Sequence, residues 1–186
     1  AGINDIYIVI DEKPFSQIKA YYAENEHLTN YLIARGKSDK LTLADTMRDG
    51  VQIHFFAQKD VDLRYGNAEP VAQAVEEFDI HEPTAVLMGD DFSYNADGSS
   101  DLARLTKLVV DASDSAMLAT EIPMEEVERY GVLRIKDGLL DGIYEKPKKE
   151  NAPSNFINIS KFIMSTELLN RVVNYCHSHD FGPKDQ

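Results

Sequence analysis

The sequence predicts an α/β protein built on a doubly wound, mostly parallel, Rossmann-like sheet with an antiparallel excursion late in the chain. Three observations carry that expectation. Strand signals at 3–10, 51–57 and 84–88 alternate with helical stretches, the pattern of β-α-β units joined by right-handed crossovers. The apolar run Thr84-Ala85-Val86-Leu87-Met88 suits a strand covered on both faces, and it ends abruptly in Gly89-Asp90-Asp91. Asp137-Gly138, between two β-rich segments, is a tight-hairpin signal, and hairpins join antiparallel strands.

The elements follow in order. After the first strand, 13–24 reads as a helix with Phe15, Ile18 and Tyr22 at helical spacing, and 28–35 as a second one stopped by Gly36. A short helix is expected at 41–47, and Asp49-Gly50 turns the chain into the second strand. Pro70 sits in the first turn of a helix running to Phe78. Ser100 caps a helix from 101 to 112 whose inward stripe is Leu102, Leu105, Leu108 and Val109. A buried strand at 115–120, a short acidic helix at 123–129, hairpin strands at 131–136 and 139–145, a strand at 155–163 and a helix from about 165 to 176 complete the list. There is no internal repeat and no low-complexity linker.

Composition narrows the function classes. With 19 Lys and Arg against 32 Asp and Glu, the net charge of −13 disfavours a grip on nucleic acid or on anionic lipid, so any phosphate is expected to be held locally through a cation. The one cysteine, Cys176, has no disulfide or zinc partner, which points to the reducing cytoplasm. No apolar stretch reaches membrane-spanning length and no signal peptide opens the chain. Both ends look cut: a strand starts at once, and the final residues form a loop that leads nowhere.

Ligands of open α/β sheets bind beyond the carboxyl ends of the strands, so the Gly89-Asp90-Asp91 terminus stands where a site is expected. Neighbouring side chains diverge, so one of the two aspartates faces a ligand, and a carboxylate so placed suits Mg²⁺. On this motif alone a capped turn is the simpler reading. Tyr130-Gly131-Val132 and Tyr144-Glu145-Lys146-Pro147 lie at hairpin distance. Gly131 allows close approach of a ring, Glu145 accepts hydrogen bonds from hydroxyls, and Lys146 offers a positive charge to a phosphate. Read singly, the Glu-Lys-Pro segment is an ordinary solvated strand end. Gln58 has an amide suited to a base edge, and Gly66-Asn67-Ala68 precedes a helix. His54 reads as structural, His177 and His179 as a polar helix terminus. No Gly-x-Ser-x-Gly elbow supports covalent catalysis.

Taken together and in this order, the pieces resemble the bacterial UTP:glucose-1-phosphate uridylyltransferases of the sugar-nucleotidyltransferase superfamily, over nearly the whole chain. Gln58 with Gly66-Asn67-Ala68 is similar to the family's uridine-contacting glutamine and its loop, though Arg64 and Tyr65 stand where the family has a more glycine-rich stretch. Leu87-Met88-Gly89-Asp90-Asp91 is similar to its metal-holding strand, and Gly131, Glu145-Lys146 and Ala152-Pro153-Ser154-Asn155 to its sugar site. The resemblance implies a nucleotide-diphospho-sugar transferase fold, residues 1–186 forming one incomplete domain whose triphosphate loop precedes residue 1 and whose second metal-binding aspartate follows residue 186. It implies Mg²⁺-dependent joining of UTP and glucose 1-phosphate into UDP-glucose and pyrophosphate. Asp90 is then the metal ligand, Lys146 steadies the sugar phosphate, Gly131, Glu145 and more loosely Asn158 hold the glucose, and Gln58 with Gly66 meets the uracil. The piece by itself is expected to be inactive, and a homo-oligomeric state is compatible with the reading. A thymidylyl- or adenylyltransferase and a non-catalytic sugar-nucleotide-binding module stand as the alternatives.

Overall fold

The computed structural model describes residues 2–23, 26–41, 50–59, 66–112 and 114–179. They form two compact units, one of Gly2–Ile80 with the stretch from Val173 onward, the other of His81–Val172. The helix expected at 41–47 lies outside the described residues, apart from Leu41.

In the first unit β1 (Asp5–Ile10) and β2 (Gln52–Ala57) pair in parallel, Asp5 opposite Gln52 through Ile10 opposite Ala57. Parallel neighbours need a crossover, supplied here by α1 (Glu12–Tyr22) and α2 (Glu26–Ala34). Gly36 ends α2 with a left-handed φ of 65°, and the bonds Gly36 N–H to Ile33 O and Lys37 N–H to Leu32 O make a Schellman stop. The pair is faced from both sides by aromatic side chains. Tyr22 of α1 lies 5.8 Å from Phe55, while Phe78, just past α3 (Ala68–Glu77), lies 4.7 Å from Tyr7 and 6.2 Å from Phe56. His54 stacks on Tyr7 and meets Asp5 at 2.8 Å, the structural role read from the sequence.

The second unit is organised by β7 (Phe156–Met164). Four strands join it in one sheet: β3 (Thr84–Leu87), β4 (Ala116–Glu121), β5 (Gly131–Lys136) and β6 (Leu139–Glu145). The β5–β6 hairpin turns on Asp137 and Gly138, both at positive φ, the requirement of a type I′ turn. Helix α4 (Asp101–Ala112) has the expected bounds, and its Leu105 and Val109 pack with Ile163 of β7 with Leu102 against them, whereas Leu108, expected on the same stripe, is exposed, because the apolar stripe is narrower than the spacing alone suggests; Val127, Val132 and Ile157 form a second core. Helix α5 (Thr166–Ser178) follows β7, capped by the Ser165 hydroxyl.

Three features depart from the expected elements. The 123–129 segment is helical only as a 3₁₀ turn at Val127–Arg129, because one turn fixes several residues for a single hydrogen bond. Both β3 and β4 pair antiparallel with β7, since a run of four to six apolar residues carries no information on strand direction. Leu87 is half exposed, so the last residue of β3 is not covered on both faces.

The segment from Phe92 to Ser100 is tied to the start of α4. The Ser100 hydroxyl caps the helix by accepting the Ala103 N–H at 3.2 Å. Next to it Asp101 is almost fully buried, and hydrogen bonds from Ser93 and Asn95, with the Arg104 guanidinium beside it, hold its carboxyl below the usual aspartate range. A depressed folded-state pKa stabilises above the unfolded value and is lost as pH falls through the folded one. Asp101→Asn should therefore lower the unfolding free energy by its full amount above about pH 5, with the difference from wild type shrinking below about pH 4. Urea titrations at pH 7 and pH 3 check this, and a pH-independent difference contradicts it.

Candidate active site

Strand β7 has neighbours on both sides at each end and is interrupted between them. Ile157 pairs with both Thr120 of β4 and Val132 of β5, and Ile163 with both Ala116 of β4 and Ala85 of β3. Strand β4 thus occupies one side throughout, while β3 and β5 share the other, one at each end. Across the interval 158–161 the β4 register shifts, with Met117 opposite Phe162 but Ala119 opposite Asn158. This is a bulge in β7, and Ser160 within it takes a left-handed φ of 50°. Its backbone is satisfied individually. The Asn158 carboxamide oxygen accepts the Ser160 N–H at 2.8 Å, and the Ser160 carbonyl accepts the Met88 N–H at 3.3 Å.

Two groups of predicted residues reach this interruption from opposite ends. From β3, Met88 leads into a turn holding Gly89 and Asp90, with the Asp91 N–H to the Met88 carbonyl at 3.4 Å. Asp90 is exposed there. From the hairpin, Gly131 pairs with Glu145 and, one residue before the Val132–Ile157 pair, lies beside Asn158. A Cβ on Gly131 would stand 3.1 Å from Glu145 Oε2, 3.3 Å from Ile143 Cγ2 and 4.0 Å from Asn158 Cβ. The missing side chain leaves a shallow floor with a carboxylate, a carboxamide and a methyl group around it.

Lys146 joins this group through its backbone. Adjacent residues of an extended strand point to opposite faces, but Lys146 has a φ of 43°, and its ammonium lies 3.6 Å from Glu145 Oε1. Its N–H donates to the Tyr130 carbonyl at 3.0 Å, which ties the kink to the residue before Gly131. A carboxylate and a cation are thereby offered together beside the glycine floor.

Sequence reasoning missed Lys161, Ile143 and Ser160. The Lys161 ammonium donates to the Asp91 carbonyl at 3.4 Å, linking β7 to the turn after β3, and it lines a cavity of about 270 Å³ with Ser93, Asn95 and Asp101. Ile143 was open to detection, since two residues before Glu145 on a strand means the same face. A left-handed serine has no signal in composition or periodicity.

Gln58 and Gly66 belong to the other unit. The Gln58 N–H donates to the Ile10 carbonyl at 2.8 Å, carrying the parallel ladder one residue past β2. Gly66 has a φ of 130° and open space where a Cβ would stand, directly ahead of α3. Arg64 and Tyr65 lie outside the described residues. His177 pairs with Glu76 at 3.0 Å and His179 stacks on Tyr175 at 4.0 Å, so these residues are a polar helix end.

Among the described residues no three His, Cys, Asp or Glu stand together as a metal cage. A hard cation such as Mg²⁺ needs no cage: it accepts one or two carboxylates and completes its shell with water and phosphate oxygens. The exposed carboxylate of Asp90 fits that requirement. No helix among the described residues is long and apolar enough to cross a membrane.

With residues 1–184 matching the nucleotidyl transferase family, the chain belongs to that family. Among curated relatives, the UTP--glucose-1-phosphate uridylyltransferase of Streptococcus pneumoniae serotype 4 is 31% identical over 178 residues, covering 90% of this chain and 57% of that protein. The enzyme of the same name from Streptococcus pyogenes is 29% identical, covering 90% and 56%. The chain therefore spans a little over half the length of these relatives. In fold it resembles a UTP-bound UGPase from Acinetobacter baumannii, with a TM-score of 0.79 at 22% identity over 91% of this chain and 61% of that one. An apo UDP-glucose pyrophosphorylase aligns with a TM-score of 0.77 at 23% identity, covering 93% and 63%.

The left-handed backbone at Lys146 has a measurable consequence. Glycine adopts that conformation without the Cβ clash that costs other residues about 1 kcal/mol or more. Lys146→Gly should be more stable than Lys146→Ala by about 1 kcal/mol, read from urea unfolding of the two variants. Equal stability, or a more stable alanine variant, contradicts the assigned conformation.

Proposed function

We propose that the full-length protein transfers a uridylyl group from UTP to glucose 1-phosphate, giving UDP-glucose and pyrophosphate. The observation that carries this reading is that the strand end leading to Asp90 and the Gly131, Glu145 and Asn158 floor flank one interrupted stretch of β7, with Leu87 opposite Lys161, Met88 bonded to Ser160 and Gly131 beside Asn158. The shared name of the streptococcal relatives supports the choice of nucleotide and sugar.

In this reading a phosphate oxygen of glucose 1-phosphate attacks the α-phosphorus of UTP. The new P–O bond replaces the bond to pyrophosphate, which leaves with its electron pair. The attacking oxygen is already anionic, so no general base is needed, and the protein contributes alignment and charge complementarity. The hexose lies over Gly131, its hydroxyls donate to Glu145 and accept from the Asn158 amide nitrogen, and the Lys146 ammonium faces the sugar phosphate. Gln58 and Gly66 meet the uracil. A bound Mg²⁺ supplies neutralisation of phosphate charge, with Asp90 as its ligand from this chain. The lone cysteine and acidic composition fit a cytoplasmic enzyme, and a homo-oligomer is compatible with the same proposal.

The test is an assay of the full-length protein with glucose 1-phosphate, Mg²⁺ and UTP, TTP or ATP. UTP should be preferred, and preference for TTP or ATP would replace the uridylyl assignment with its nearest alternative. Asp90→Asn should lower kcat on the order of 100-fold or more. Gly131→Ala pushes a methyl group onto the Glu145 carboxylate and should raise KM for glucose 1-phosphate about tenfold. Unchanged kinetics in both variants would remove this surface from the reaction.

A further inference from the structure

We infer that Gln73 is a positioning residue for the nucleotide base, acting through the backbone at the carboxyl end of β2. The inference rests on the uridylyl-transfer reading, in which Gln58 meets the uracil.

Among the described residues the Gln58 N–H is the last of β2 to reach β1, through the Ile10 carbonyl. Lys59 follows, and its backbone finds its partner on α3. The Lys59 N–H donates to Gln73 Oε1 at 2.9 Å, and Gln73 Nε2 donates to the Lys59 carbonyl at 3.0 Å. A single carboxamide thereby takes both polar groups of one peptide residue, as a neighbouring strand does. The second Nε2 hydrogen goes to Glu69 Oε1 at 2.9 Å. That third bond sets the orientation of the amide, because a flipped Gln73 turns its oxygen toward the Glu69 carboxylate and its nitrogen toward the Lys59 N–H, two repulsive contacts. Glu69 and Gln73 are both buried, one helical turn apart on α3, so water is a poor substitute.

The consequence falls on Gln58. It is held between the β1 ladder at its own N–H and the Gln73 amide at the next residue, so the direction of its side chain is set from both ends. The same helix α3 begins two residues after Gly66. Gln73 therefore couples the strand end that offers an amide to a base with the helix whose leading loop contains Gly66.

The experiment compares Gln73→Met, Gln73→Glu and the exchange Gln73→Glu with Glu69→Gln in the full-length protein, with Gln58→Ala as reference. Gln73→Met should raise KM for UTP about tenfold and reduce the preference for UTP over TTP, with KM for glucose 1-phosphate and kcat within about twofold of wild type. Gln73→Glu should be worse, because it sets a carboxylate against the Lys59 carbonyl and Glu69. The exchange relieves the repulsion between positions 69 and 73 but leaves a carboxylate against the Lys59 carbonyl, so it should bind UTP better than Gln73→Glu alone and still less well than wild type. A purely structural role lowers the folded fraction and spares both KM for UTP and base preference, and that result overturns the inference. A wild-type protein without preference for UTP sinks the functional reading and this inference with it. If Gln58→Ala alters base preference and the Gln73 variants do not, only the inference falls. Hydrogen exchange of the Lys59 amide in the wild type is independent of variant folding. Protection comparable to that of Gln58 is expected, and exchange at the rate of an open loop overturns the inference.

Discussion

A β-strand flanked on both sides needs its backbone groups paired, and β7 does this with regular ladders at its two ends, which break off at Ile159–Ser160. The interruption sets the form of the candidate site. With β3 and β5 sharing one side of β7, one at each end, Ser160 has no regular ladder partner there, and the Asn158 side chain and the Met88 amide take its polar groups instead. Bulges re-aim side chains and end strand pairing. This one delivers the end of β3, with Asp90, and the start of β5, with Gly131, to the same few residues. The hairpin contributes a second irregularity of similar kind at Lys146, where a left-handed backbone sets cation and carboxylate side by side.

The other unit solves the matching problem at the end of a parallel pair. Its strands are faced from both sides by aromatic side chains, Tyr22 on one and Phe78 on the other, and the parallel ladder runs up to Gln58. Beyond it the ladder is replaced by one buried amide from α3. In both units the proposed ligand contacts sit where regular pairing stops and individual side chains take over the backbone hydrogen bonds. This is a physical reason for their being at strand ends.

Legibility in the sequence followed the range of the interactions. The Schellman stop at Gly36, the Ser100 cap, the bounds of α4 and the Asp137-Gly138 hairpin are local, and each was readable because a particular residue type is required at a particular backbone angle. Hairpin spacing brought Gly131 close to Tyr144-Glu145, but counting back from the turn puts Gly131 opposite Tyr144, and the irregularity between Arg134 and Ile135 is what moves its partner to Glu145. Strand direction was not readable, because β3 and β4 take their antiparallel sense from β7, some 40 to 80 residues away. The left-handed φ of Lys146 and Ser160 was hidden because neither is the glycine or asparagine that advertises such a conformation. The Gln73 amide was invisible for another reason: a glutamine facing a helix interior shows nothing of the peptide it serves. The resemblance to sugar nucleotidyltransferases named residues in both units, while the geometry of β7 supplies a reason for the strand end before Asp90 and the hairpin members to flank the same stretch of strand.

The most direct measurement is a crystal structure of the full-length protein with UDP-glucose and Mg²⁺. The hexose should lie over Gly131 with hydroxyls within hydrogen-bonding distance of Glu145 and Asn158, and the diphosphate should face the turn that carries Asp90. A sugar nucleotide bound without contact to any of Gly131, Glu145 and Asn158, or with its diphosphate on the far side of the sheet from Asp90, would contradict the account.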